Sequence, residues 1–213
     1  MIEQSQGLVL RTRPLTDTSL IVHWLTPELG RIATVAKGAR RTNSPFHGKL
    51  DLFYLADFSF QRSRRSDLHT LREVALRGTH NVLRENLACL QQASYCAALI
   101  EQTTETDTPL PALFELMSGL LNHLPRQSAQ PLAILVFEMR LLRELGQAPD
   151  PVDTRLSEGA KKILARLIGS DWSALRPLKL SAAQFSEIKQ FLHGFLIWHL
   201  GKIPPGREAA LTA

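Results

Sequence analysis

The hydrophobic pattern of the chain changes at about residue 80, and this change constrains the fold more than any other feature of the sequence. Before that point, apolar residues occur in short runs separated by turn signals, a spacing typical of small β domains. After it, apolar residues recur at three- and four-residue intervals, as they do in amphipathic helices. The sequence therefore predicts an α+β chain, with a β domain over residues 1–79 and an all-α domain over residues 80–213.

Five strand-like segments make up the predicted β domain. They are GLVLRTR (7–13), LIVHWL (20–25), RIATVAK (31–37), LFYLADFSFQR (52–62) and LHTLREVAL (68–76). Pro27 and Gly30 suit a hairpin connection between the second and third segments, and Gly38 closes the third. Because five strands in about eighty residues fit a small closed barrel, we expect a five-stranded OB-fold β-barrel.

Five helical segments make up the predicted α domain. They are VLRENLACLQQASYCAALIEQ (82–102), TDTPLPALFELMSGLLNHL (106–124), AQPLAILVFEMRLLRELG (129–146), SEGAKKILARLIG (157–169) and SAAQFSEIKQFLHGFLIWHLG (181–201). In the first segment, Leu83, Leu87 and Leu90 fall on one helical face. In the third, Pro131 suits a first helical turn and Gly146 lies just past the end.

The positive charge of the chain is concentrated in the β domain. The whole sequence has a formal net charge of +5. Residues 1–80 hold 12 Lys and Arg against 7 Asp and Glu, whereas the 13 bases and 13 acids of the remainder cancel. The excess is therefore a local feature of the first third of the chain, and a basic surface there indicates an anionic partner.

Strand alternation gives the basic residues a geometry, because side chains of equal parity share one face of a strand. Arg11 and Arg13 share a face of the first strand, Arg31 and Lys37 share a face of the third, and the other candidates lie in loops. The predicted DNA-binding residues are Arg11, Arg13, Arg31, Lys37, Arg40, Arg41, Arg62, Arg64 and Arg65. The alternative is a set of solvated charges scattered around the barrel.

Nucleic acid is the favoured anion, because OB-folds commonly combine a basic groove with aromatic side chains that stack on bases. The available aromatic residues are Trp24, Phe46, Tyr54, Phe58 and Phe60. We expect each of them in the core, since a small barrel fills its interior with large side chains. Contacts to phosphates would then dominate, and binding would tolerate any sequence and be sensitive to salt.

The sequence offers little support for catalysis. It has no GxSxG, HExxH, phosphate-loop or dinucleotide-binding motif. Cys89 and Cys96 lie at a spacing that matches no common metal or redox signature, and we expect them to be buried thiols. We therefore expect no enzyme, no metal and no other cofactor. The N-terminus lacks a typical leader and no run approaches the ~18 apolar residues of a membrane span, so we expect a cytoplasmic protein.

The last helical segment is rich in large apolar side chains. They are Phe185, Phe191, Leu192, Phe195, Leu196 and Trp198. Most of them should be core residues, but their number leaves room for a groove that binds a partner, with lysines at its rims. The predicted partner-binding residues are Lys189, Phe191, Phe195 and Lys202.

The order of motifs in about the first 55 residues resembles that of the RecO recombination mediator proteins. The shared elements are a strand ending in Arg11, a turn with Asp17, Leu25 and Thr26 followed by Gly30, AKGAR at 36–40, Ser44, and Leu50 with Phe53. The remainder resembles the family mainly in the order of its helices, with FEMRLLRELG (137–146) as the most similar stretch.

The resemblance implies a protein that binds single- and double-stranded DNA, anneals complementary strands and assists recombinase loading in DNA repair. It also implies work with RecR, in many bacteria with RecF, and with the acidic C-terminal tail of single-stranded DNA-binding protein, in the nucleoid of a bacterial cytoplasm. AKGARR would place Lys37, Arg40 and Arg41 at a strand end that faces DNA, where Gly38 permits a close turn beside the phosphates.

One departure from the family concerns zinc. Many members carry a four-cysteine zinc site after the helix that corresponds to FEMRLLRELG, whereas QAPDPVDTRLSEGAKK follows here without a cysteine, so zinc binding is not carried over. Two other classes of function stay open from the sequence. One is a non-catalytic scaffold whose basic OB face docks an acidic partner tail, and the other is an enzyme with an unrecognised site.

Overall fold

The computed structural model describes residues 1–126, 130–150, 156–169, 172 and 180–212. The strands are β1 (Ile2–Pro14), β2 (Leu20–Thr26), β3 (Gly30–Ala36), β4 (Leu55–Gln61) and β5 (Leu68–Gly78). The α-helices are α1 (Leu87–Thr103), α2 (Pro111–His123), α3 (Pro131–Glu144), α4 (Glu158–Gly169), α5 (Ala182–Leu200) and α6 (Arg207–Thr212). Short 3-10 helices cover Asn81–Glu85 and Leu124–Arg126. Ala129, at the start of the third predicted helix, and residues 151–155, within the segment QAPDPVDTRLSEGAKK, lie outside the described residues.

The chain divides into two compact units. The barrel unit consists of Met1–Asn81 and Thr104–Ser118, and the helical unit consists of Val82–Thr103 and Gly119–Ala213. The barrel unit therefore includes a stretch after α1 that the hydrophobic pattern had assigned to the helical domain. The division between the units falls inside α2.

The five strands close into a barrel in the order β1-β2-β3-β5-β4. Neighbouring strands are antiparallel except for β3 and β5, which are parallel. This order, with its single parallel pair, is the topology of the OB-fold. The predicted fold class, an OB-fold barrel followed by helices, is confirmed.

The barrel core follows from strand alternation. Along β3, burial alternates residue by residue, so that Ile32 and Thr34 point inwards. The rings of Trp24 and Phe58 stack with centroids 4.2 Å apart, and Trp24 Nε1 donates a hydrogen bond to Thr34 Oγ1 at 2.8 Å. Four of the five aromatic residues expected in the core are buried there: Trp24, Phe46, Phe58 and Phe60. The fifth, Tyr54, is half-buried.

Two strand boundaries differ from the sequence prediction by three residues or more. β1 begins at Ile2 rather than Gly7, because its first half pairs with β4 and only its second half pairs with β2. β4 begins at Leu55 rather than Leu52, because Phe53 has a φ of +63°, a left-handed value that no strand residue can adopt. The apolar residues just before β4 therefore form a turn that leads into this strand.

Residues 104–108 lie along the beginning of β3. Thr106 forms a parallel β-bridge with Arg31. The Arg31 guanidinium donates to Thr104 Oγ1 at 2.6 Å and also to the Thr104 carbonyl oxygen. Gly30, with a φ of +66°, approaches so closely that a Cβ there would lie 1.9 Å from the carbonyl oxygen of Thr108. Because β5 pairs only with Ala33–Val35, the beginning of β3 is left for this segment, which pairs with it there.

In the helical unit, α3 is the central helix, and every residue from Leu132 to Leu142 is buried. α1 begins after Asn86, whose Oδ1 accepts hydrogen bonds from the backbone N–H groups of Ala88 and Cys89. Leu87 was predicted on the buried face but is 69% exposed. The preceding residues form a separate 3-10 turn, which breaks the helical phase that the prediction assumed.

A buried charge network holds α6, a helix that the sequence analysis did not predict. Arg207 donates to Oε1 and Oε2 of Glu138 at 2.7 and 2.8 Å, and the Tyr95 hydroxyl donates to Glu138 Oε1 at 2.6 Å. Glu138 is fully buried and Arg207 is 4% exposed. The network connects the short C-terminal helix to α3 and α1, and burial together with the Glu138 carboxylate raises the pKa of Tyr95.

Candidate nucleic-acid interface

The segment AKGARR (36–41), called the AKGARR turn below, follows directly from the end of β3. Gly38 turns the chain with a φ of +69°, a left-handed value that favours glycine. The backbone N–H of Arg41 donates to the Gly38 carbonyl oxygen at 3.1 Å and closes the turn. Lys37, Arg40 and Arg41 are all exposed. Gly38 therefore provides the turn that the sequence predicted.

The connection between β1 and β2, called loop 15–19 below, lies against this turn. The Arg40 backbone N–H donates to the Thr18 carbonyl oxygen at 3.0 Å, and Arg40 Nη1 donates to the Thr16 carbonyl oxygen at 3.2 Å. The backbone N–H of the glycine in the turn donates to Ser19 Oγ at 3.4 Å. The loop and the turn therefore form one surface at the end of the barrel, which these hydrogen bonds brace.

Arg11 and Arg13 lie on β1 beside this surface and are exposed. Arg11 is in register with His23 on β2, and Arg13 is in register with Ile21. Burial, and then the charges of Arg11, Arg13 and Arg31, lower the pKa of His23 to about 4. Three of the predicted DNA-binding residues therefore surround a neutral imidazole.

Arg31 and Arg62 are engaged by other groups of the barrel unit. Arg31 binds Thr104, as described above. Arg62 donates two hydrogen bonds to the Glu3 carboxylate at 2.8 and 3.1 Å and one to Asp107 Oδ1 at 2.7 Å. These bonds raise the pKa of Arg62, and the bond from Arg62 lowers the pKa of Glu3. Both arginines stay predictions as DNA contacts, but phosphates would have to compete for them.

Arg64 and Arg65 are exposed in the loop between β4 and β5. This loop precedes Leu68, which pairs in parallel with Ala33 at the middle of β3, so the loop lies towards the beginning of β3, whereas the AKGARR turn follows its end. Eight of the nine candidates therefore separate into two groups. Arg13, Lys37, Arg40 and Arg41 lie towards the AKGARR turn, and Arg31, Arg62, Arg64 and Arg65 lie towards the other end of β3. Arg11 is in register with His23, which pairs with Ala33 at the middle of β3.

The charges of the first group are available to a ligand. Within the described residues, Arg13, Lys37 and Arg41 form no ion pair with a carboxylate. Among the residues that the structure describes, the Arg40 side chain bonds only to the Thr16 carbonyl oxygen, which leaves its charge uncompensated. Exposed and uncompensated cations on a braced turn suit the binding of phosphate groups.

The predicted partner-binding residues lie on and after α5. Leu192 and Leu196 are fully buried, whereas the rings of Phe191 and Phe195 are half-buried with centroids 5.6 Å apart. Trp198, one of the six apolar residues of which most were expected in the core, is 84% exposed, because it lies at the i+7 position from Phe191, away from the buried leucines. An aromatic stripe, half-buried at Phe191 and Phe195 and exposed at Trp198, therefore runs along this helix.

The two lysines of this predicted site have different surroundings. Lys189 Nζ lies 2.6 Å from Glu208 Oε2 in an ion pair, which compensates its charge. Lys202 is exposed just after the end of α5, and its backbone carbonyl accepts a hydrogen bond from Gln102. Lys202 is therefore the better-placed cation at the rim of the aromatic stripe.

Sequence reasoning missed His23, the hydroxyl groups of loop 15–19 and the exposure of Trp198. His23 has the opposite parity to Val22 and Trp24, which fill the barrel core, so its place on the other face of β2 could have been found by the alternation rule. The seven-residue spacing of Phe191 and Trp198 was a comparable signal. The hydroxyl groups had no such signal, because their position depends on a loop conformation.

The cysteines and the other titratable side chains that the structure describes give no further functional site. Cys89 and Cys96 are buried and are not joined in a disulfide, as predicted, and burial raises the pKa of both thiols. The described ranges contain no cluster of three or more His, Cys, Asp or Glu side chains that could hold a metal ion. In the same part of the chain, none of the helices is both long and apolar enough to cross a membrane.

The structure thus defines a protein that joins an OB-fold barrel with a basic strand-end surface to a helical unit. Residues 1–80 match the family model described as "Recombination protein O N terminal", and residues 84–153 match "Recombination protein O C terminal". The chain belongs to the RecO family.

Relatives named "DNA repair protein RecO" come from several bacteria. The protein from Bacillus pumilus is 32% identical over 150 residues, which are 70% of this chain and 58% of that relative. The protein from Rhodopirellula baltica is 33% identical over 143 residues, or 67% of this chain and 53% of the relative. The protein from Bacillus subtilis is 31% identical over 150 residues, or 70% and 58%. The matched part of the chain thus spans between half and three fifths of these relatives.

Proposed function

We propose that this protein is a DNA-binding recombination mediator that anneals complementary strands and assists recombinase loading in DNA repair. The observation that carries the proposal is the braced basic surface of the AKGARR turn and loop 15–19, where Lys37 and Arg41 are exposed and the described residues offer them no carboxylate partner. The names of the relatives, which describe them as DNA repair proteins, support the same function.

The mechanism requires only charge and geometry. Two complementary strands repel each other through their phosphates, and cations on one rigid surface reduce this repulsion while both strands are bound. Binding releases condensed counterions, so affinity arises largely from phosphate contacts and falls as salt rises. Such a surface accelerates pairing without a catalytic residue, and we propose no enzymatic activity.

The two predicted domains would divide the work. We propose that residues 1–79 bind single- and double-stranded DNA and that residues 80–213 bind protein partners. By resemblance to the family, those partners are RecR, in many bacteria RecF, and the acidic tail of single-stranded DNA-binding protein. The place of action would be the bacterial nucleoid, in the cytoplasm.

Strand annealing tests the proposal. Two complementary oligonucleotides with donor and acceptor fluorophores are mixed with the full chain, and the rate of pairing is followed by energy transfer. The turn variant carries Lys37→Glu, Arg40→Glu and Arg41→Glu. We expect wild-type protein to accelerate pairing and the turn variant to lose most of that acceleration, because it repels phosphates where the wild type attracts them.

A matched control separates this local effect from net charge. The control variant carries Arg72→Glu, Arg126→Glu and Lys162→Glu, three exposed positions that belong neither to the AKGARR turn nor to loop 15–19. It changes net charge by the same amount and should keep most of the acceleration. An unchanged rate in a folded turn variant, or an equal loss in both variants, would contradict the assignment of the DNA surface.

The aromatic stripe on α5 supports a second role, in binding a protein partner. Phe191, Phe195 and Trp198 offer apolar surface on one side of the helix, and Lys202 lies beyond its end. This combination suits a peptide that carries both apolar and acidic side chains. We propose the acidic tail of single-stranded DNA-binding protein as the ligand.

A tail peptide with a fluorescent label tests this role. Trp198→Ala and Lys202→Glu should each weaken binding, because one removes exposed aromatic surface and the other repels the acidic side chains. Leu87→Ala, which removes an apolar side chain of similar exposure from α1, should bind like the wild type. If all three variants bound the peptide with equal affinity, the aromatic stripe would be excluded as its binding surface.

The scaffold hypothesis makes a different prediction. In that account the basic barrel surface docks an acidic protein tail and does not bind DNA. The turn variant would then lose the tail peptide, and wild-type protein would not be retained by immobilised DNA at low salt. Retention of the wild type on DNA decides against the scaffold.

A further inference from the structure

The AKGARR turn and loop 15–19 enclose a groove. Its volume is about 400 Å³, which lies within the range of pockets that hold small molecules and leaves room for one nucleotide. Apolar, hydroxyl and cationic side chains line it. They include Leu15, Thr16, Ser19, Val35, Lys37 and Arg41.

The apolar and hydroxyl side chains suit the base and sugar of a nucleotide. Leu15, which is 47% exposed, and the half-buried Val35 provide a wall for the face of a base. Thr16 Oγ1 accepts a hydrogen bond from the Ser19 backbone N–H at 3.1 Å, and Ser19 Oγ accepts one from the Gly38 backbone N–H at 3.4 Å. Each hydroxyl keeps its own hydrogen, which it can donate to an oxygen of the base or sugar.

The cationic side chains suit the phosphate. Lys37 and Arg41 are exposed at the groove, and an ammonium and a guanidinium both bind phosphate oxygens through charge-assisted hydrogen bonds. The walls are already joined by the hydrogen bonds from Arg40 to loop 15–19. Little further ordering is therefore needed when a ligand binds.

We propose that this groove holds one unstacked nucleotide of a single DNA strand, with the base against Leu15 and Val35 and the phosphate on Lys37 and Arg41. The proposal rests on the DNA-binding function proposed above and specifies the form of DNA that the site takes. A base in a duplex is stacked and paired, so it cannot enter the groove without leaving the double helix. The groove thus favours single strands, and a duplex uses the phosphate contacts alone.

An abasic strand tests the base contact directly. Fluorescence anisotropy compares the affinity of the full chain for a thymidine oligonucleotide and for an abasic oligonucleotide of equal length, which keeps the phosphates but lacks the bases. We expect the wild type to bind the thymidine strand about tenfold more tightly, because only that strand buries a base against the apolar wall. Leu15→Ala should bring the ratio close to one without changing the affinity for abasic or duplex DNA.

Two further variants keep the result interpretable. Ile2→Ala removes an exposed apolar side chain from β1 outside the groove and should keep the wild-type ratio. Val35→Thr changes the polarity of the wall at nearly constant shape and should lower the ratio. Equal affinity of the wild type for the two strands, or an unchanged affinity ratio in both groove variants, would overturn the proposal that the groove binds a base. Either result would leave the proposed phosphate binding intact. If the wild type bound neither strand at low salt, the proposed function itself would be overturned.

Discussion

The pKa of His23 depends on its burial and on the arginine charges near its side of β2. Burial and the neighbouring Arg11, Arg13 and Arg31 lower its pKa from an ordinary value of 6.5 to about 4. Below pH 6.5 the unfolded chain takes up a proton on this side chain, whereas the folded chain does so only near pH 4. Stability is therefore lost as the pH falls through this interval.

The first prediction follows from this shift. The free energy of unfolding, measured with urea at several pH values, should fall between about pH 6.5 and 4, and the fall should be shallower in His23→Gln. His47→Gln, at an exposed histidine in the loop after the AKGARR turn, should keep the wild-type slope. A nuclear magnetic resonance titration that placed the pKa of His23 near 6.5 would contradict the prediction.

The same histidine gives a test of where DNA binds. Phosphates placed on Arg11 and Arg13 would offset their charges, so the second prediction is that the pKa of His23 rises when a single-stranded oligonucleotide is added. The titration is repeated with and without DNA under conditions where the protein is saturated. An unchanged pKa in the complex would place the DNA away from these two arginines.

Arg207 illustrates a different use of charge, in stability rather than in binding. Its partner Glu138 is fully buried, so Arg207→Ala would leave a buried carboxylate without a counter-charge. The third prediction is a loss of about 3–5 kcal/mol in the free energy of unfolding of the helical unit. Urea unfolding followed by circular dichroism measures this loss.

Two comparisons support the interpretation of that loss. Lys161→Ala removes a surface ion pair with Glu158, which is 82% exposed at its side chain, and should cost no more than about 1 kcal/mol. Combining Arg207→Met with Glu138→Leu and Tyr95→Phe should recover most of the stability, because the apolar side chains avoid the burial of a charge and no buried hydroxyl is left without its acceptor. A cost for Arg207→Ala as small as that for Lys161→Ala would show that the network contributes little.

At the scale of elements, Gly30 determines how residues 104–108 lie against β3. A Cβ at Gly30 would lie 1.9 Å from the Thr108 carbonyl oxygen, whereas Gly48, with a similar positive φ of +68°, has no atom within 4 Å of its Cβ position. The two glycines therefore share the same backbone conformation and differ in their surroundings. They form a matched pair for mutation.

The fourth prediction uses this pair. Gly48→Ala should cost about 1–2 kcal/mol of barrel stability through its left-handed backbone alone. Gly30→Ala should cost about 1–3 kcal/mol more, because the segment at 104–108 must move away from β3. The measurement is urea unfolding of both variants. Equal losses of unfolding free energy would mean that the segment at Thr108 moves away from an added Cβ without destabilising the barrel.

The elements that the sequence predicted well are those whose pattern is local. The strand β3 alternates perfectly, and its boundaries were predicted to within one residue. The start of β4 was wrong because the apolar run before it hides a left-handed Phe53. The helix α6 was missed because six residues cannot show a helical period, and its position depends on Glu138, far away in the sequence.

At the scale of the whole molecule, the sequence predicted where charge is concentrated but not how it is used. Lys37, Arg40 and Arg41 lie within five residues of one another, so their common surface could be inferred directly. Arg31 and Arg62 could not be judged in this way, because their partners Thr104 and Asp107 lie 73 and 45 residues along the chain. Such long-range pairing becomes visible only when the barrel is closed.

The most direct test of the central claim, that the AKGARR turn binds phosphates, is the salt dependence of single-stranded DNA binding. Fluorescence anisotropy at several salt concentrations gives the slope of log affinity against log salt for the wild type, the turn variant and the control variant. We predict that the turn variant binds more weakly and that its slope is shallower by about 2, since three phosphate contacts are lost. The control variant should keep the wild-type slope, and a turn variant with wild-type affinity and slope would contradict the account.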